Sequence, residues 1–343
     1  MPSLLSAKRG MTMDLEAILG ERAKIFDRSL NGNLSHHEPK IIYDAIRWIP
    51  LSGGKRLRPT LTMLSCEAVG GIPEKTIPLG VALEYLHNST LIHDDIIDKD
   101  KWRRGLQTTH EKFGLPIAII AGDALIGETY RMLSYMAPPE MKAVTFKEII
   151  RSIADAAKNF YEGEAMDIEF GSRFDVSLSE YMVMVEKKTA QLYWLAGKGG
   201  ALIGKGSREQ VENLSSYGRY FGIMFQIKDD LLNILTDQKK LGKQMMGRDI
   251  PNGKRTLMLI HALSQVNKRQ KKRLVAVVGN EKASQQDVLD IIDIFRETDS
   301  IKYAQNVLQE LRDKTNTCLK VLDQSESKEI LYALTDYSIT RKY

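Results

Sequence analysis

Through most of the 343 residues apolar side chains return every three or four positions, with Leu, Ile, Ala and Met on one face and Glu, Lys and Arg on the other. Strictly alternating runs are scarce, so the pattern predicts helices from end to end and an all-α fold. A first helix is expected over 15–30. A later one begins near Pro78, a residue suited to a first turn, and runs to about Asp98. Along it Leu79, Ala82, Leu83 and Leu86 make a core stripe. His87, Thr90, Asp94 and Asp98 follow on a second stripe at spacings of three, four and four, which predicts a cavity wall. Another apolar helix covers 222–233, and amphipathic helices continue beyond 279. No Pro/Ser/Gly-rich linker divides the chain, so one domain over 1–343 is expected, with 1–13 as an extension. Its architecture is a single-domain bundle of roughly ten or more antiparallel helices around a central cavity.

The second stripe carries the chemistry. Asp94, Asp95 and Asp98 lie in an apolar run, and Asp94 and Asp98, a turn apart, share a face. Unpaired carboxylates on an apolar helix repel one another and resist desolvation unless a hard divalent cation takes up their charge. Mg²⁺ suits the set, because it keeps several waters, takes one or two carboxylates and accepts further oxygens from a phosphate. Arg103 and Arg104, just past the helix, supply guanidinium forks for phosphate. An acidic trio and two arginines also describe a solvated helix end with surface ion pairs. A second cluster weighs against that reading: Gln226, Asp229 and Asp230 again lie on an apolar helix, with Asn233 a turn after Asp229. Two such helices facing each other across a cavity can grip one polyanion through shared metals.

Upstream, Gly53-Gly54-Lys55-Arg56-Leu57-Arg58-Pro59 joins a permissive backbone to three cations and a helix-starting proline. Alone this describes a basic loop capping a helix. With Lys55 and Arg58 three apart and Arg104 able to reach the same place, it becomes an anion site at a helix entrance. His87, two turns before Asp94, is placed to donate to a phosphate oxygen.

Composition narrows the function further. The formal charge of +5 is a small excess among 49 basic and 44 acidic residues with no long basic block, so nucleic-acid binding is not indicated. A small anionic substrate accounts for the local basic clusters. Cys66 and Cys318 have no metal-type spacing, which suits a reducing, cytoplasmic setting. The most apolar stretch, 115–127, is too short for a membrane span and contains Asp123, and residues 1–10 lack the apolar core of an export signal.

These motifs together resemble the trans-isoprenyl diphosphate synthases, the family of farnesyl, geranylgeranyl and longer polyprenyl diphosphate synthases. GGKRLRP at 53–59, DDxxDxxxxRRG at 94–105 and FQxxDD at 225–230 occur in the family's order. The resemblance implies a Mg²⁺-dependent homodimer condensing isopentenyl diphosphate with an allylic diphosphate. It implies that Lys55, Arg58, His87 and Arg104 hold the diphosphate of isopentenyl diphosphate. Arg103, Lys188, Thr189 and Gln226 would serve the allylic substrate, and Lys243 and Lys254 would close over its diphosphate. Asp94 and Asp98 on one side and Asp229 on the other would ligate the metals, with Asp95 and Asp230 supporting them or binding outer water. Asn233 departs from a common third aspartate, and Glu164 stands where the family has Gln, with Asp167 as a lysine's partner. Arg341-Lys342-Tyr343 resembles a basic tail that closes the site in some members. Terpene cyclases share the acidic motif but need no second diphosphate pocket. Non-catalytic subunits of heteromeric synthases lose acidic motifs that this chain keeps.

Product length follows from the helix. Ser89 and Thr90 lie roughly 6–8 Å below Asp94 at ~1.5 Å per residue. Farnesyl-making relatives carry bulky aromatics there. Two small residues imply an open floor and a product longer than farnesyl, with geranylgeranyl expected first and farnesylgeranyl or hexaprenyl as the alternatives. Leu125, Ile126 and Tyr130 are the candidates for the next barrier.

Overall fold

The computed structural model describes residues 13–34, 37–136, 139–235 and 246–341. Residues 1–12 of the expected extension, Lys243, Lys342 and Tyr343 lie outside them. The described chain is helical almost throughout; α1 is Leu15–Asn33, α2 Lys40–Trp48, α3 Leu57–Glu67, α4 Ile77–Ile97 and α5 Thr109–Phe113. Then come α6 Leu115–Met136, α7 Ala143–Phe170, α8 Leu178–Val185, α9 Gln191–Ile203 and α10 Arg208–Leu235, with a π-turn, Glu186–Ala190, between α8 and α9. Helices Leu257–Gln265, Lys268–Val277, Gln285–Glu297, Ser300–Cys318 and Glu326–Thr340 complete the bundle.

The acidic helix α4 is its axis. Every residue from Pro78 to Leu86 is buried, and α1, α3, α6 and α9 pack around it. A helix apolar on all sides needs neighbours on all sides. Towards its C-terminal end the wall opens, leaving His87, Leu91 and Asp94 half-buried, and there the cavity begins. The second acidic helix, α10, is held by α9 and by the helices Ser300–Cys318 and Glu326–Thr340. The two acidic motifs therefore sit on well-packed rods, which fixes their separation better than loops would.

After α4 the chain turns back in a hairpin, β1 (Trp102–Arg103) against β2 (Leu106–Gln107). Arg104 and Gly105 at its tip both have positive φ, 52° and 79°, as a tight two-residue turn requires. Among the described residues this is the one strand pair. No described helix is long and apolar enough to cross a membrane.

Candidate active site

Two cavities meet at Lys188. The larger, about 600 Å³, is lined by Lys55, Arg58, His87, Arg103 and Arg104 on its cationic side and by Leu91, Phe160, Leu192, Tyr193 and Phe225 on its apolar side. The smaller, about 180 Å³, holds Asp98, Asp167, Asp230, Asp249 and Lys254. Asp94, Lys188, Thr189 and Gln226 line both.

The cationic wall divides the labour of the Gly53–Pro59 motif. Arg56 turns inward in a left-handed conformation, φ 47°, and is 3% exposed. It bonds Asp27 (2.8 Å), Glu84 (2.5 Å) and the Pro50 carbonyl (2.6 Å), riveting the loop to α1 and α4. Arg58 and Lys55 line the cavity. The Arg58 guanidinium stacks 4.4 Å from the centre of the Tyr193 ring, and its buried Nε has no hydrogen-bond partner. Lys55 Nζ lies 5.8 Å from the centre of the Tyr337 ring. Arg104 reaches back from the hairpin tip to the carbonyls of Gly53 and, at 3.4 Å, Ile49. A Cβ on Gly54 would stand 3.3 Å from that guanidinium, at a φ of +148°. The glycine thus lets loop and arginine close together. Burial, and then Arg58, Arg104 and Arg103, hold the His87 pKa well below its ordinary value, so the imidazole is neutral at pH 7. A neutral ring among arginines offers one N–H to an anion without adding to the repulsion.

The acidic wall is neutralised by two lysines. Lys188 Nζ stands 3.0 Å from Asp94, 2.6 Å from Glu164 and 2.7 Å from Asp167. Lys254 Nζ lies 3.0 Å from Asp98 and 2.9 Å from Asp167. Burial lowers the Lys188 pKa, but Asp94, Asp167 and Glu164 outweigh it and the net shift is upward. Asp167 moves down, because Lys188 and Lys254 outweigh its burial. The sequence placed Lys254 over a diphosphate; here it clasps carboxylates. Likewise Arg103, expected at the allylic diphosphate, forks onto Asp95 at 2.7 and 2.6 Å, with Asp94 3.8 Å away. Carboxylates this far out of water need counter-charges close by, and Lys188, Lys254 and Arg103 supply them.

Across the cavity, Asp230 is buried and accepts from Tyr181 Oη (2.9 Å) and Gln226 Nε2 (2.8 Å), while Gln226 Oε1 accepts from Thr189 Oγ1 (2.8 Å). Burial and the neighbouring Asp249 push the Asp230 pKa up to about 7. Asp229 faces the cavity and binds Arg341 Nη2, which also bonds the Phe225 carbonyl at 3.0 Å. The C-terminal arginine is therefore inside the site.

One residue of the site, Asp249, escaped the sequence reading, and two that it named, Glu164 and Asn233, gain contacts it did not foresee. Glu164, given no role there, is buried against Lys188, and burial pushes its pKa up to about 7. Asp249 enters on the loop before Lys254; burial lifts its pKa to about 6, partly offset by Lys254. An acid four to five residues before the Gly253-Lys254 pair was the available signal. Asn233 holds that loop: its carbonyl accepts from Gly247 N–H (2.8 Å) and its side-chain oxygen from Asp249 N–H (3.3 Å). The residue read as a missing charge thus positions another carboxylate.

Ser89 and Thr90 are both buried, but only Thr90 lines the large cavity. Ser89 shares a face with His93, a turn on, which is held against Gly122 of α6. Its hydroxyl bonds the Leu86 carbonyl at 2.8 Å. Leu125 is fully buried, Ile126 half-buried and Tyr130 37% exposed, so Tyr130 closes no floor within this chain.

A divalent metal fits this donor set. Asp94 Oδ1 and Asp95 Oδ2 are buried and accept no well-formed hydrogen bond, although Lys188 is in ion-pair range of the former. Among the described residues no three acidic, His or Cys side chains form a ready-made metal cage.

The raised carboxylates make a prediction. A folded pKa near 7 for Glu164, against an ordinary 4.5, means folding favours the neutral acid. That contribution is whole below about 4.5 and lost as pH rises through about 7. With chelator present, the Tm of the protein is expected to fall between pH 5 and pH 8, and Glu164→Gln should flatten the fall. A Tm profile unchanged by Glu164→Gln would contradict this.

Comparison with known proteins agrees with the geometry. The polyprenyl synthetase family model matches residues 39–295. A geranylgeranyl pyrophosphate synthase of Geoglobus acetivorans is 38% identical, covering 96% of this chain and all of its own. A short chain isoprenyl diphosphate synthase of Methanothermobacter thermautotrophicus is 35% identical over the same shares. The crystal structure of a geranylgeranyl pyrophosphate synthetase from Pyrococcus horikoshii superposes with a TM-score of 0.90 at 36% identity, covering 96% of this chain and 98% of that one. With motifs, fold and relatives in accord, the chain belongs to the polyprenyl synthetase family of trans-prenyltransferases.

Proposed function

We propose that the chain condenses isopentenyl diphosphate with an allylic diphosphate, with Mg²⁺, to give all-trans geranylgeranyl diphosphate. The observation that carries this is one cavity with cations on one wall, carboxylates from α4 and α10 on the others and an apolar floor. Arg58, His87, Arg104 and Lys55 hold the diphosphate of isopentenyl diphosphate. Asp94, Asp98 and Asp229 would hold Mg²⁺, which would supply counter-charge to the leaving diphosphate. Lys188, Arg103 and Lys254 are within reach of the same diphosphate and stabilise the charge that develops as the allylic C–O bond breaks. Phe160, Leu192, Tyr193 and Phe225 line the cavity and exclude water from the allylic cation. The double bond of isopentenyl diphosphate attacks that cation, and the departed diphosphate takes the proton whose loss restores the alkene. The product assignment draws on the relatives named as geranylgeranyl synthases and on the small Ser89 and Thr90.

We place the enzyme in the cytoplasm as a homodimer. Cys66 and Cys318 are free and buried, burial pushing the Cys66 thiol up to about 12, and α6 exposes Ile119 (44%), Ile120 (53%) and Tyr130.

The test is product analysis: purified protein, Mg²⁺, labelled isopentenyl diphosphate and each allylic primer in turn, with a chelator control. A geranylgeranyl product lost on chelation is expected. Farnesylgeranyl or hexaprenyl products would keep the reaction and move the floor deeper; no condensation from folded protein would end the reading. In the same assay Ser89→Phe should shorten the product by filling the α4–α6 seam beneath Thr90. An unchanged distribution would place the floor elsewhere.

A further inference from the structure

The π-turn Glu186–Ala190 interrupts what would otherwise be one helix from α8 into α9. Such a turn widens the helix by one residue and changes where the side chains after it point. Here Lys188 points to α4 and α7, reaching Asp94, Glu164 and Asp167, while Thr189 points to α10 and bonds Gln226.

A glycine faces this turn on each side. A Cβ on Gly163 of α7 would stand 2.5 Å from Lys188 N and 2.9 Å from both Lys188 Cα and Lys187 Cβ. A Cβ on Gly222 of α10 would stand 2.6 Å from Ala190 Cα and 2.9 Å from Ala190 Cβ. The closest atom on each side is backbone, so no rotamer change relieves the overlap. A helix would have to move until the contact reached the 3.4 Å at which ordinary van der Waals contact begins. Each glycine also sits beside the site: Gly163 directly precedes Glu164 and lies a turn before Asp167, and Gly222 lies a turn before Gln226.

We propose that Gly163 and Gly222 are positioning residues for the allylic half of the site. They let α7 and α10 close on the π-turn, so that Lys188 spans to Asp94 while Thr189 holds Gln226, and the turn thereby sets the spacing of the two acidic clusters. The inference rests on the prenyl-transfer reading. The atoms nearest a Cβ on Gly163 all belong to Lys187 and Lys188, away from the isopentenyl half, whereas a Cβ on Gly222 would also stand 2.9 Å from Cδ2 of Tyr193, the ring on which Arg58 stacks, so Gly163 is the selective probe of the allylic half.

The test compares Gly163→Ala, Gly222→Ala and a control, Gly204→Ala. At Gly204, the far end of α9, a Cβ would stand 2.5 Å from Val69 Cγ2 and 2.8 Å from the Cys66 carbonyl oxygen, a similar crowding remote from the site. A misplacement near 1 Å costs roughly a hundredfold in a positioned reaction. Gly163→Ala and Gly222→Ala are therefore expected to raise the KM for the allylic diphosphate, or lower kcat at saturating isopentenyl diphosphate, by roughly ten- to a hundredfold. For Gly163→Ala the KM for isopentenyl diphosphate should stay within about twofold, the split that separates positioning from general damage. Gly204→Ala should lower Tm without moving either KM. Folded Gly163→Ala or Gly222→Ala protein with unchanged allylic kinetics overturns the proposal, as does equal loss for both substrates in Gly163→Ala. So does a crystal structure of the wild-type chain in which 186–190 run as uninterrupted α-helix, a result that does not depend on either variant folding. Failure of the wild-type chain to condense any primer would instead overturn the prenyl-transfer reading.

Discussion

Asp94→Ala is expected to lower turnover by about 10²–10³-fold or more while leaving the far-ultraviolet circular dichroism unchanged. The two halves of that result have separate causes. Asp94 lines both cavities and presents an oxygen without a well-formed hydrogen bond, so its loss removes a carboxylate from the wall where we place the metals. The fold, however, does not lean on it. Lys188 keeps Glu164 and Asp167, and Arg103 keeps its fork on Asp95. Asp94 also raises the pKa of Asp98 and Asp95 after their own burial, so removing it relieves repulsion within α4. Stability should change by no more than about 1 kcal/mol. Steady-state kinetics at several Mg²⁺ concentrations, with thermal melts alongside, make the check. Normal turnover by the variant would mean that the metal assignment is wrong.

Lys188→Ala should do the reverse in stability and the same in activity. Lys188 is the shared counter-ion of Asp94, Glu164 and Asp167, and its side chain is 17% exposed. Removing one partner of a buried pair leaves an uncompensated charge, at a cost of about 3–5 kcal/mol. Two features reduce that cost here. Glu164, with its pKa already raised to about 7, can take a proton, and Asp167 retains Lys254. We expect a loss of about 2–3 kcal/mol near pH 7.5, smaller at pH 6 where Glu164 is protonated. Adding Glu164→Gln to Lys188→Ala should recover part of the stability and none of the activity. Denaturant titrations of the two single variants and the double give the coupling directly. Wild-type stability in Lys188→Ala would show that the carboxylates are neutralised some other way.

Much of the molecule is legible from residue order. Helical periodicity alone marked the first helix, which runs to Asn33 instead of 30, and the acidic helix, which spans Ile77–Ile97 against an expected 78–98. It also marked the stripe from His87 to Asp94 that lines the cavity, because residues three and four apart on a helix share a face whatever surrounds them. The motifs around Lys55, Asp94 and Asp229 could be read because each is local and joins a backbone requirement to a charge.

What needed the tertiary structure is every pairing across the bundle. Arg56 and Arg58 are two positions apart in one basic motif, yet one is a buried rivet and the other faces the cavity, a choice made by Asp27 on α1 and Glu84 on α4. Asp249, which escaped notice, and Glu164, which was noticed but given no role, become part of the site only through burial beside Lys254 and Lys188. Arg341 reached Asp229 only through the packing of the last helix on α10. The sequence by itself determined the helices, their polar faces and the family. Tertiary structure decided which charges neutralise which, because ion pairing depends on a few ångströms between helices far apart in the chain, and no local spacing encodes that distance.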